Sequence, residues 1–106
     1  MTKTRLDNLL EYMKEEPDNP FNIYAVANEY ISTDPQLAKK YFEQLLEEFP
    51  QYLPTYYQLA TINIALNDTQ NVESIYLKGM ALAKKQNENK TYQELQNGLN
   101  EFLFED

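Results

Sequence analysis

The segments PQLAKKYFEQLLEEF at positions 35–49 and TQNVESIYLKGMALA at positions 69–83 carry one apolar pattern, 34 residues apart. In the first, Ala38, Tyr41, Phe42, Leu45, Leu46 and Phe49 stand at i, i+3, i+4, i+7, i+8 and i+11. In the second, Val72, Ile75, Tyr76, Gly79, Met80 and Ala83 take the same places. With 3.6 residues per turn, that spacing gathers each set on one helix face, the face turned toward a core. Ile23, Val26 and Ala27 likewise correspond to Tyr56, Leu59 and Ala60 at an offset of 33. A single-residue difference in the turn between the paired helices reconciles the two offsets. One period running through both members of a helix pair is the mark of a repeat array, whose units bury their faces against neighbours.

Proline suits the first turn of a helix and disfavours its interior, so Pro20, Pro35 and Pro54 mark helix starts. Asn19 and Asp34 stand in front of two of them as side-chain caps for orphan amides, and Asp68 or Thr69, and Asn89, are placed to begin two more. Thr4 with Asp7, and Thr91 with Glu94, have capping-box spacing. No segment shows the strict alternation of a half-buried strand. The pattern predicts six helices, from about Thr4 to Glu15, Pro20 to Ser32, Pro35 to Glu48, Pro54 to Leu66, Gln70 to Gln86 and Lys90 to Phe104. Their connections are short, which folds neighbours back as antiparallel hairpins. The first helix (Leu6, Leu9, Leu10, Met13) and the last (Tyr92, Leu95, Leu99, Phe102, Leu103) have one apolar face each, as capping helices do. Gly98 either weakens the last helix, by about 1 kcal/mol relative to Ala in an exposed interior, or permits close packing.

A chain of 106 residues has room for one domain and one modest core, not for a second, catalytic domain. Its apolar fraction of 42%, with two glycines and five prolines, is that of packed helices. Seventeen acidic and nine basic side chains leave a net charge of −8, which repels a phosphate backbone or an anionic membrane surface. Lys39-Lys40 and Lys84, Lys85 and Lys90 are too few to line a nucleic-acid groove and read as solvated helix faces. The first residues, MTKTRLDNLLEYMKEEP, lack the apolar core and cleavage site of a signal peptide, and no run approaches the ~18 apolar residues of a membrane span. These features predict a cytoplasmic protein. Asn67-Asp68-Thr69 and Asn89-Lys90-Thr91 fit the glycosylation pattern but read, without an export signal, as helix-start residues.

The absence of cysteine and histidine removes disulfides, the thiol nucleophile, the commonest general base and the commonest metal ligand. Glu15-Glu16 and Glu47-Glu48 are adjacent pairs that diverge by about 100° around a helix, the wrong geometry for paired acid and base work. The stretch NDTQN at 67–71 lacks the central glycine and distal glutamate of a calcium loop and reads as a capping turn. With both glycines alone inside helical patterns, no phosphate-cradling loop exists. No enzyme, cofactor or metal is expected.

In these residues the chain resembles the tetratricopeptide repeat family, whose unit is a helical hairpin of about 34 residues. The family's first helix has a large, a hydrophobic and a small residue, matched by Ile23, Val26 and Ala27 and then by Tyr56, Leu59 and Ala60. Its second helix has a small residue, an aromatic and another small residue, followed by proline. Ala38, Phe42 and Pro50 match in the first unit, and Val72, Tyr76 and Gly79 in the second. Leu45 departs from the second small position, Asn63 falls where Tyr30 supplies the usual aromatic, and no proline closes the second unit. The resemblance implies an all-α fold, a right-handed superhelical stack of antiparallel hairpins. It divides a single domain, 1–106, into a capping helix at 1–16, repeats at 17–50 and 51–86, and a second cap at 87–106. Two hairpins are fewer than the three repeats usually needed for stability, so the caps must contribute.

The family recognises proteins with the concave surface lined by the first helix of each hairpin. Here that surface would present Phe21, Tyr24, Asn28, Ile31 and Ser32, then Tyr57, Gln58, Thr61, Ile64 and Ala65. Tyr24 and Tyr57 are again 33 apart, and aromatic rings of this kind dominate many interfaces. Asn28 and Gln58 add amide hydrogen bonds for an extended chain. No Lys or Arg lies between Lys14 and Lys39 or between Lys40 and Lys78, which argues against a clamp for a terminal carboxylate. A neutral, aromatic groove in an acidic shell favours a neutral, apolar or basic protein segment, held by a monomer or weak homo-oligomer. The alternative role is that of an assembly subunit associating through its capping helices.

Overall fold

The computed structural model describes residues 2–104. They form six helices: α1 (Arg5–Glu15), α2 (Pro20–Tyr30), α3 (Pro35–Glu48), α4 (Pro54–Ala65), α5 (Val72–Lys85) and α6 (Asn89–Phe104). Among the described residues there is no strand, and no helix is long and apolar enough to cross a membrane. The fold is all-α. The expected caps 1–16 and 87–106 include residues 1, 105 and 106, which lie outside the described residues.

The helix starts follow the proline and capping signals closely. Thr4 and Asp7 close a reciprocal capping box, with both amide contacts at 3.1 Å. Asn19 accepts from the Phe21 amide at 3.1 Å and Asp34 from the Leu37 amide at 3.2 Å, each ahead of a proline at the first helical turn. Two boundaries differ from expectation by more than one residue. Helix α2 stops at Tyr30, not Ser32, because the Thr33 and Asp34 amides both turn back onto the Tyr30 carbonyl. Helix α5 starts at Val72, not Gln70, with Asn71 as a cap that makes no side-chain hydrogen bond. Thr91 lies inside α6, which begins at Asn89, so the expected box with Glu94 has no helix terminus to cap. Asn67, read as a helix-start residue, instead ends α4. It takes φ 59°, Asn87 takes φ 60° after α5, and the following amides of Asp68 and Glu88 each reach back 2.8 Å to Asn63 and Ala83 carbonyls. Asn is one of the few residues besides glycine that tolerates this left-handed cap.

The chain divides into two compact units, Met1–Tyr52 and Leu53–Asp106. In the first, α2 packs against α1 and α3. Its core is Ile23, Val26 and Ala27 from α2 with Ala38, Phe42 and Leu45 from α3, while α1 has no fully buried residue. Asn22 Nδ2 donates to the carbonyls of Tyr12 and Glu16, satisfying open groups at the end of α1. Arg5 pairs with Glu29 at 3.0 Å across α1 and α2, an exposed contact of small energetic weight.

In the second unit α5 packs against both α4 and α6. Tyr56, Leu59 and Ala60 of α4, Val72, Ile75, Tyr76, Gly79 and Ala83 of α5, and Leu95 and Leu99 of α6 are buried. Most of the repeat positions read from the sequence are thus interior, while Tyr41, Leu46, Phe49 and Met80 are only half-buried. Gly79 is required by close approach, since a Cβ there would stand 2.7 Å from Tyr56 Cβ.

Candidate interaction site

The α2 residues expected to meet a partner are not equivalent. Phe21 is 58% exposed, whereas Tyr24 is half-buried and set edge-on to two rings, Phe42 at 5.9 Å and Tyr52 at 5.7 Å between centroids. Such edge contacts add stability beyond area burial, so Tyr24 belongs partly to the interior. Asn28 is half-buried, and its Oδ1 is covered without a hydrogen-bond partner among the described residues. Ile31, half-buried, caps the end of α2.

On α4, Tyr57, Thr61 and Ile64 fall at i, i+4 and i+7 and share one face. They line an open hollow of about 460 Å³, completed by Tyr76 of α5 and by Gly98, Glu101 and Phe102 of α6. Tyr57 and Thr61 are exposed and Ile64 half-buried. Gln58, also half-buried, is not among the lining residues. The α4 face, expected to lie on the concave surface, is therefore walled on one side by the last helix. Gly98 allows this: a Cβ there would stand 2.8 Å from both Cε1 and Oη of Tyr76. Of the two roles open to Gly98, close packing is the one it has.

Polar contacts order the floor of the hollow. Thr61 Oγ1 donates to the Tyr57 carbonyl at 2.8 Å and also lies within hydrogen-bond reach of the Tyr76 hydroxyl. Burial holds the Tyr76 hydroxyl above the ordinary tyrosine value; neighbouring Tyr57 and Glu101 push the same way, and the Thr61 hydrogen bond works against them. Glu101 is the one charged residue among the described residues that line the hollow. Among the described residues no three acidic side chains gather as a metal site. Sequence reasoning missed Gly98, Glu101 and Phe102 as site residues because it assigned α6 wholly to capping. The signal available was an isolated glycine followed by an aromatic four residues later on one helix face.

Neither a protein-family model nor a curated protein sequence matches the chain. Solved structures do. The solution NMR structure of a tetratricopeptide repeat domain protein from Salinibacter ruber is 33% identical, with a TM-score of 0.73, over 78% of this chain and 85% of that one. This chain belongs to the tetratricopeptide repeat family. The crystal structure of a tetratricopeptide repeat domain protein from the same organism agrees, at 29% identity and a TM-score of 0.79, over 83% of this chain and all of that one. The tetratricopeptide repeat fold is a helical repeat, and such folds are generally protein-interaction modules. The repeat positions accommodate Leu45 and Asn63, the two residues that depart from the family pattern, both buried.

Proposed function

We propose that this tetratricopeptide repeat chain is a non-catalytic module that binds a peptide or partner segment of neutral, apolar or basic character. The faces concerned are those of α2 (Phe21, Tyr24, Asn28, Ile31) and α4 (Tyr57, Gln58, Thr61, Ile64). The observation that carries this reading is the open hollow beside α4, where Tyr57 remains 43% exposed next to other aromatic and hydroxyl groups. Large, rigid rings at the edge of a concave site are what interfaces use for anchorage. The net charge of −8 argues against nucleic acid or an anionic membrane as the partner.

The test is a tagged pull-down from the native cell's lysate with wild type and Tyr57→Ala. Tyr57 is the sharper choice, because truncating Tyr24 also removes its contacts with Phe42 and Tyr52. The expected outcome is a partner recovered by wild type and lost with Tyr57→Ala at an unchanged melting temperature. Equal recovery by both removes the α4 face from the interface.

A second reading, assembly through the capping helices, has its own support in Leu103 and Phe104 of α6, which are 42% and 78% exposed. Light scattering that shows only monomer at high concentration rules out its homo-oligomeric form.

A further inference from the structure

Among the described residues, the hollow between α4 and α6 differs from an ordinary apolar cleft in having one carboxylate beside three aromatic rings. Tyr57, Tyr76 and Phe102 supply the rings and Glu101 the charge. No Lys or Arg lines it; α4 contains none, and α6 has none after Lys90 in its first turn. The site is therefore negative without internal compensation, in a chain that is itself acidic at −8. An anionic group is repelled there. An apolar group fits the rings but covers Glu101 without pairing it, which costs desolvation. A cation satisfies both features at once, because ring faces carry the negative side of the aromatic quadrupole.

From this geometry we infer that the hollow holds an arginine side chain of the partner, its guanidinium against the Tyr57 and Phe102 rings and paired with Glu101. The inference rests on the interaction reading given above. Arginine suits the site better than lysine: its flat, weakly hydrated head stacks on rings and offers five donors in a fork, where an ammonium is compact and strongly hydrated. The acceptors lining the hollow that such a fork can reach are the Glu101 carboxylate and the Tyr76 hydroxyl oxygen. Gly98 brings α6 against Tyr76 and so forms the wall of the hollow. Any larger residue would place a carbon 2.8 Å from the Tyr76 ring and hydroxyl and force that wall away.

The experiment is an NMR titration of the whole chain, following backbone amides, with N-acetyl-arginine amide and with N-acetyl-citrulline amide, its uncharged isostere, at matched ionic strength. Saturable shifts are expected at Tyr57 to Ile64 and Gly98 to Phe102, with arginine about tenfold tighter than citrulline from the ion pair and ring contacts together. Glu101→Gln should shrink that preference to about threefold, and Gly98→Ala should abolish the shifts. Should Gly98→Ala fail to fold, the exposed Glu101→Gln variant still decides. Citrulline binding as tightly as arginine, or an arginine preference unchanged by Glu101→Gln, overturns the assignment. N-acetyl-leucine amide separates the two levels of the argument. If it moves the same amides and arginine does not, the interaction face stands and the cation assignment falls. If no probe moves them, the α4 face falls as well.

Discussion

Where α2–α3 places Ile23 and Leu45, α4–α5 places Tyr56 and Gly79, at offsets of 33 and 34. All four are buried. The second hairpin has exchanged two aliphatic chains for one large ring against bare backbone, so volume has moved from one helix to the other. Another exchange separates Tyr30 and Tyr41, stacked at 5.9 Å with 3° between their planes, from Asn63 and Ile75 in the matching places. Here the second hairpin is the poorer: Asn63 is 5% exposed, and its Oδ1 has no partner among the described residues. The period thus specifies which positions are covered, while the side chain at each is selected against whatever faces it across the hairpin.

The strongest way to break this comparison is to force one repeat's choice on the other. Gly79→Leu copies Leu45 into α5 and drives a side chain into Tyr56, for an expected loss of about 3 kcal/mol in urea unfolding. Adding Tyr56→Ile, which copies Ile23, should recover at least about 1 kcal/mol of that loss. Purely additive losses in the double variant would show that the two positions are not exchanging volume.

Alkaline titration sharpens the contrast next. Burial raises the Tyr56 hydroxyl, and burial with neighbouring charge raises Tyr76, both in the second unit; in the first, burial and then Tyr24 raise Tyr52. A tyrosine whose folded value lies above its unfolded value near 10 contributes stability that is complete below pH 10 and lost as pH rises through the folded value. Each such group can remove at most about 1.4 kcal/mol per pH unit in that window. Stability measured from pH 8 upward should be flat and then fall, and the fall should lessen in Tyr76→Phe. A fall that begins well below pH 10 would point to other groups.

The smallest effect concerns the buried amide. Asn63→Leu removes an uncompensated polar group and adds apolar volume, so it should stabilise the chain by about 1 kcal/mol in the same unfolding assay. A loss of stability would mean that the Asn63 amide finds a partner in solution, and the second hairpin would no longer count as the poorer one there.

Much of this was legible before any coordinates. Ile23, Val26, Ala27, Ala38, Phe42 and Leu45, and their partners a repeat later, are buried as their spacing required. The prolines at 20, 35 and 54 open helices, since a ring that lacks an amide proton loses nothing in the first turn. Weaker local signals were misread. Asn67 was placed at a helix start and serves a helix exit, because the same short amide side chain suits a cap or a left-handed φ. Within the expected site, Tyr57, Thr61 and Ile64 meet at one hollow, but its other wall comes from α6, more than thirty residues along the chain.

Periodicity and capping chemistry act within a few turns of the backbone, so residue order alone specified six helices, their repeat and their inward faces. How near α6 comes to Tyr76, and that Tyr24 meets Phe42 and Tyr52 edge-on while Tyr57 stays open, were settled by packing. Those contacts join residues distant in sequence, and their geometry depends on the volume of every side chain between them.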